Sequence, residues 1–141
     1  MAAELVAVPG VAAFLDAHPA LPKAVASSSR VDWLQLALAR LGLAHHFGSH
    51  LYSADGLARG KPHPDIYLSA AAGLAVDPSD CLAIEDSPVG ARAAVAAGMT
   101  VVGLVAAAHI ADREAHSATL RSVGVHRIAF AFSDVDLEQV A

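Results

Sequence analysis

Short apolar runs alternate with longer stretches in which apolar residues recur every three or four positions, and the alternation continues along the whole chain. The runs Lys23–Ser27 (KAVAS), His50–Ser53, Cys81–Ile84 (CLAI), Thr100–Val105 and Arg127–Phe132 have the length and composition of strands. Between them Pro9–His18, Arg30–Leu41, Asp65–Leu74, Pro88–Ala97 and Ala111–Val123 read as helices, and a helical turn follows the last strand. Pro19 ends the first helix, and Gly42 and Gly98 stop the second and fourth. In RVDWLQLALARL, Trp33, Leu34, Leu38 and Leu41 stand at helical spacing, which predicts a core-facing Trp33. A loop with Gly56, Gly60, Pro62 and Pro64 interrupts the pattern. Strands that alternate with helices predict an α/β fold with a parallel sheet and crossover helices. No repeat, low-complexity tract or linker divides the chain.

Composition narrows this to one domain. A chain of 141 residues with 55% hydrophobic content supplies one core, and only 5% aromatics means that alanine, valine and leucine fill it. A net charge of −5 offers no basic footprint, so neither nucleic acid nor an anionic membrane surface is an expected partner. Cys81 has no second cysteine to pair with, which makes the cytoplasm the default location. It reads as a small, unreactive core residue within its strand. Met1–Pro9 carries Glu4 and no basic region before an apolar run, unlike a secretory signal, and no apolar stretch reaches the roughly 20 residues that cross a bilayer.

Three segments carry candidate chemistry. Ser27, Ser28 and Ser29 follow the strand KAVA, where hydroxyls and backbone N–H groups can hold phosphate oxygens beside a helix start; they could equally cap that helix. Lys61 stands in Gly60-Lys61-Pro62-His63-Pro64-Asp65, whose prolines limit the loop's freedom and can hold an ammonium group in place; the alternative is an ordinary turn with an exposed lysine. Glu85 and Asp86 end the strand CLAI and open Glu85-Asp86-Ser87-Pro88-Val89-Gly90. Adjacent carboxylates repel, and a hard cation such as Mg²⁺ is a usual reason to gather them, with a solvated acidic loop as the alternative. The carboxyl end of a strand is where open α/β sheets place their sites.

Taken together, Ala24–Ser29, Gly60–Asp65 and Cys81–Gly98 resemble the haloacid dehalogenase-like superfamily, and within it the β-phosphoglucomutase-like subgroup. The resemblance implies a three-layer Rossmann-like parallel sheet with flanking helices. It gives Ser27, with Ser28 beside it, a phosphate-binding role. Lys61 would steady both a nucleophile and the transferring group, and Glu85 and Asp86 would hold Mg²⁺. The implied activity is Mg²⁺-dependent hydrolysis of a small phosphorylated metabolite, of sugar phosphate or phosphoglycolate type, through an aspartyl-phosphate intermediate.

One feature departs from that pattern. Members of this family begin with an apolar strand ending in Asp-x-Asp-Gly-Thr, which provides the nucleophile and the general acid and base, and this sequence contains no such motif. It resembles a single partial core domain over residues 1–141, with the cap essentially absent and without the family's central first strand, which would lie between the strands ending at Ser27 and Glu85. Such a fragment is expected to be inactive alone and to self-associate through exposed sheet edges. Two rival readings follow: a non-catalytic remnant that binds phosphate or a partner, and a phosphosugar mutase. Ile128–Asp136 imitates the missing motif with Asp134-x-Asp136, but Leu137 and Glu138 follow where glycine and threonine belong, so it reads as a last edge strand and terminal turn. Of the eight histidines, His45 and His46 read as loop or surface residues and only His63 as a neighbour of the site.

Overall fold

The computed structural model describes residues 10–106, 112–135 and 137. Five helices and five strands alternate: α1 (Val11–Asp16), β1 (Val25–Ser27), α2 (Val31–Leu41), β2 (Leu51–Ser53), α3 (Asp65–Leu74), β3 (Leu82–Glu85), α4 (Pro88–Ala96), β4 (Thr100–Leu104), α5 (Arg113–Ser122) and β5 (Arg127–Ala129). All strand pairs are parallel, so the fold is the expected α/β arrangement of parallel sheet and flanking helices. The pairing falls into two groups. In one, Val25, Ala26 and Ser27 lie opposite Leu51, Tyr52 and Ser53; in the other the order is β3-β4-β5, with Glu85 opposite Gly103 and Leu104 opposite Ala129. Among the described residues, β1 pairs only with β2 and β3 only with β4.

Strand β4 shows why the runs are apolar throughout. Val101 and Val105 enter one core with Ile66, Ala91, Ala94 and Leu120, whereas Val102 and Leu104 point the other way into a second cluster with Ala129. A strand covered on both faces has no solvent side on which to place polar residues. Ala91, Ala93 and Ala94 are all buried on α4, and these small side chains let that helix lie close against β3 and β4. On the opposite face Phe132 packs against the second cluster, and α1 reaches it through Phe14, with ring centroids 5.3 Å apart. Helix α3 touches β1, β2 and α4, and so spans the two strand groups.

Element ends differ from the sequence expectation by up to three residues, for physical reasons. Helix α2 stops where predicted because Gly42 takes up φ +72°, a conformation that side chains with a Cβ disfavour. Asp112 starts α5 by accepting a hydrogen bond from the Ala115 N–H at 3.0 Å; the expected start at Ala111 lies outside the described residues, as does Pro9 of the first helix. The last strand ends at Ala129 rather than Phe132. Beyond it the chain turns back through a 3₁₀ turn at Phe132–Asp134, and the Phe130 N–H donates to Asp134. Cys81 stands just before β3, not within it, and is half-buried. Burial, followed by the charges of Asp80 and Asp77, pushes its thiol pKa up, in keeping with low reactivity. No helix among the described residues is long and apolar enough to cross a membrane.

The expectation for Trp33 is corrected: it is 51% exposed and does not pack in the core. The inward face of α2 is Leu34, Ala37, Leu38 and Leu41, at i, i+3, i+4 and i+7, and Trp33 lies one residue, about 100°, off that stripe. Urea unfolding should separate the two positions. Leu34→Ala should lower stability by about 2–4 kcal/mol through lost burial and a residual cavity, whereas Trp33→Ala should cost less than about 1 kcal/mol. Equal losses would mean that Trp33 is an anchor after all.

Candidate phosphate-binding site

The carboxyl ends of β1 and β3 open on one cavity of about 1000 Å³, to which Ser27, Ser28, Lys61, Tyr67, Glu85 and Asp86 all contribute. Thus Ser27, Ser28, Lys61, Glu85 and Asp86, far apart in sequence, are brought together. Their immediate surroundings explain how each is held.

The serines do not cap α2. Its N-cap is Arg30, which makes no side-chain capping bond. Instead the Ser27 hydroxyl accepts from the Ser29 N–H at 3.1 Å, and the Ser53 hydroxyl at the end of β2 donates to the Ser29 carbonyl at 2.7 Å. These bonds shape the turn that leaves β1 and keep Ser27 at the cavity wall with Ser28 exposed beyond it.

Lys61 is not the exposed lysine of an ordinary turn: its side chain is only 12% exposed. Across the foot of its loop, Arg59 pairs with Asp65 at 2.8 Å. The Lys61 Nζ donates to Glu85 Oε1 at 2.6 Å and to the Ala26 carbonyl on β1 at 3.3 Å, and it lies 5.3 Å from the centre of the Tyr67 ring. One ammonium group therefore touches both strand groups.

Glu85 is nearly enclosed, with 8% exposure, and the Tyr67 hydroxyl donates to the same Oε1 that accepts from Lys61. Burial, and then the Glu85 charge beside it, push the Tyr67 pKa up, so the phenol keeps its proton and remains a donor. The carboxylate fits only because residue 90 is glycine, since a Cβ there would stand 2.3 Å from the Glu85 carboxyl atoms. Ser87 holds the turn after Glu85 and Asp86 by accepting the Gly90 N–H at 3.1 Å, with Pro88 opening α4. On the other side, His116 of α5 bonds through Nε2 to the Asp86 carbonyl. A carbonyl only accepts, so Nε2 carries the proton there.

Some expectations are not met, and some contributors were not foreseen. His63 is exposed and does not line the cavity, although it is two residues from Lys61. Asp134 accepts from the Phe130 N–H and does not line the cavity either, and Asp136 lies outside the described residues. Tyr67 and His116 were missed. Tyr67 follows the lysine loop on the first turn of α3, and that position was the only sequence signal available; nothing in the α5 pattern marks His116.

A family model described as haloacid dehalogenase-like hydrolase matches residues 1–98. The chain is 33% identical over 106 residues to a 6-phosphogluconate phosphatase of Escherichia coli, covering 75% of this chain and 48% of that protein. It is 48% identical over 67 residues to a β-phosphoglucomutase of Bacillus subtilis, covering 48% of this chain and 29% of that one. Among solved structures, a haloacid dehalogenase family hydrolase from Deinococcus radiodurans, with bound phosphate and sodium, superposes with a TM-score of 0.80 at 34% identity, covering 92% of this chain and 57% of its own. The chain thus spans less than half the length of these two curated relatives. A match over more than half of its residues, on a parallel α/β core that superposes with a solved member, makes this chain a member of the haloacid dehalogenase-like hydrolase family.

Proposed function

We propose that the chain furnishes a partial core domain of a Mg²⁺-dependent phosphatase for small phosphorylated metabolites of the sugar phosphate or phosphoglycolate type, acting in the cytoplasm. The observation that carries this reading is the position of Lys61. Its Nζ bonds the Ala26 carbonyl beside Ser27 and the Glu85 carboxylate beside Asp86, at the mouth of one cavity. A phosphoryl group seated there meets a fixed ammonium, the hydroxyls of Ser27 and Ser28, and the carboxylates, a set suited to charge stabilisation in phosphoryl transfer. The relatives named for 6-phosphogluconate and β-phosphoglucomutase activity support a phosphorylated sugar as the substrate class.

The charge balance supports a metal. Glu85 and Asp86 bring two carboxylates to the wall that Lys61 shares, and carboxylates repel a phosphate dianion. Glu85 and Asp86 offer the hard oxygen donors that Mg²⁺ takes, and the bound ion would reverse that sign and polarise the phosphate oxygens. Glu85 Oε1 accepts from Lys61 and Tyr67, so Glu85 would orient the lysine as well as stand beside Asp86 at the ion.

The nucleophile must come from elsewhere, since the sequence holds no Asp-x-Asp-Gly-Thr. Strands β1 and β3 each have one paired neighbour and both border the cavity, and an added parallel strand between them would deliver its carboxyl-terminal aspartates beside Lys61. Taken by itself, the chain would bind phosphate without turning it over, and its unpaired edges would drive self-association.

In assays with an aryl phosphate and Mg²⁺, the chain alone should show no turnover. Addition of a peptide carrying an apolar strand that ends in Asp-x-Asp-Gly-Thr should produce turnover that excess chelator removes. Turnover by the chain alone that survives Asp86→Ala, or that persists in chelator, would refute the reading.

Lys61→Ala should lower the rate of the reconstituted pair by roughly 10²–10³. It should also lower stability by about 3–5 kcal/mol, because Glu85 is left buried without its counter-charge. Combining it with Glu85→Gln should recover part of that stability and none of the rate. Stability unchanged in Lys61→Ala would show that the ion pair is not formed in solution.

A further inference from the structure

A second cluster of ligating groups is formed by residues that do not line the cavity. Asp16 at the end of α1, and His45 and His46 in the 3₁₀ turn Ala44–His46, each present one donor atom, and the three atoms lie within 4.8 Å of one another. His46 Nε2 is 3.0 Å from Asp16 Oδ1, and its side chain is only 8% exposed. The His45 and His46 rings lie with centroids 4.0 Å apart, and Phe47 closes the other side of His46 at 6.4 Å.

We propose that Asp16, His45 and His46 form a binding site for a borderline transition-metal ion, Zn²⁺ in the first instance, with water in the fourth position. Metal–ligand bonds of about 2.0–2.2 Å in a tetrahedron place neighbouring donors roughly 3.3 Å apart. The Asp16–His46 spacing already matches, and the His45 donor, within 4.8 Å of the others, needs to close by at most about 1.5 Å, within reach of a side-chain rotation at an exposed residue. Two imidazoles and one carboxylate suit zinc, nickel or copper, whereas Mg²⁺ prefers an all-oxygen shell. His46 would present Nε2 as a lone pair, with its ring proton on Nδ1.

Such an ion would have a structural task. Helix α1 has six residues, too few to be stable alone, and it contributes Val11, Phe14 and Leu15 to the cavity wall. Leu15 is buried, Phe14 packs on Phe132 and Asp16 pairs with His46, and these contacts tie the helix to the body. A metal at Asp16 would fasten the end of α1 to the turn after α2 and fix that wall.

The test is a Zn²⁺ titration of the metal-stripped chain by calorimetry in excess Mg²⁺, with thermal unfolding and Co²⁺ absorption as second readouts. One saturable equivalent, a raised melting temperature and a tetrahedral Co²⁺ spectrum are expected. His45→Ala should abolish all three while leaving the far-ultraviolet circular dichroism unchanged, since that side chain is exposed; Asp16→Asn should weaken binding. No saturable equivalent in the parent chain would overturn the proposal. So would an undiminished equivalent in folded His45→Ala, since the ion would then be held by other residues.

Discussion

The ion pair between Lys61 and Glu85 is the constraint on which the rest depends. Two strand groups that do not pair with each other among the described residues are joined near their carboxyl ends by one ammonium group that reaches Ala26 on one and Glu85 on the other. Removing two charges from water is expensive, and a buried pair seldom stabilises more than a well-packed apolar pair would. The surroundings here offset that cost in specific ways: Tyr67 gives Glu85 a second hydrogen bond, the Ala26 carbonyl takes another lysine proton, and Gly90 clears space for the carboxylate. Such an arrangement suits a charge that must be ready in position, not a contact selected for stability.

The same constraint shapes α3 and α4. Helix α3 must place Tyr67 under Glu85 while burying Ile66, Ala70 and Ala71, so its polar contribution and its apolar face share one turn. Helix α4 must start immediately beyond the carboxylates, and Ser87 with Pro88 fixes that start while alanines let the helix lie close to the strands. Val25 and Ala26 of β1 and Leu82 and Ile84 of β3 give the cavity an apolar wall below these polar groups.

The element order and the parallel architecture were legible in the sequence because both follow from local patterns: unbroken apolar runs for covered strands and three-to-four spacing for helices. The grouping of Ser27, Lys61, Glu85 and Asp86 was legible only as three motifs in a familiar order, each ambiguous by itself. What local pattern does not encode is rotation and long-range contact. Trp33 and Leu34 are adjacent and equally apolar, and only the angle at which α2 meets β2 decides which is buried. Tyr67, His116 and Asp16 acquire their partners through tertiary packing, so no spacing rule marks them.

The two proposed cation sites differ in donor chemistry, and that difference allows one small chain to hold both. Glu85 and Asp86 provide oxygen alone and sit beside an ammonium that raises the local potential, so a weakly held, hard ion that exchanges with substrate is favoured there. His45 and His46 provide imidazole nitrogen beside the Asp16 carboxylate, where a zinc-like ion would gain most and Mg²⁺ little. The first ion would act on charge at the cavity mouth, and the second would hold α1 along the cavity wall. Each site would fill from a different pool of metal, and loading the structural one would leave the catalytic one free to exchange.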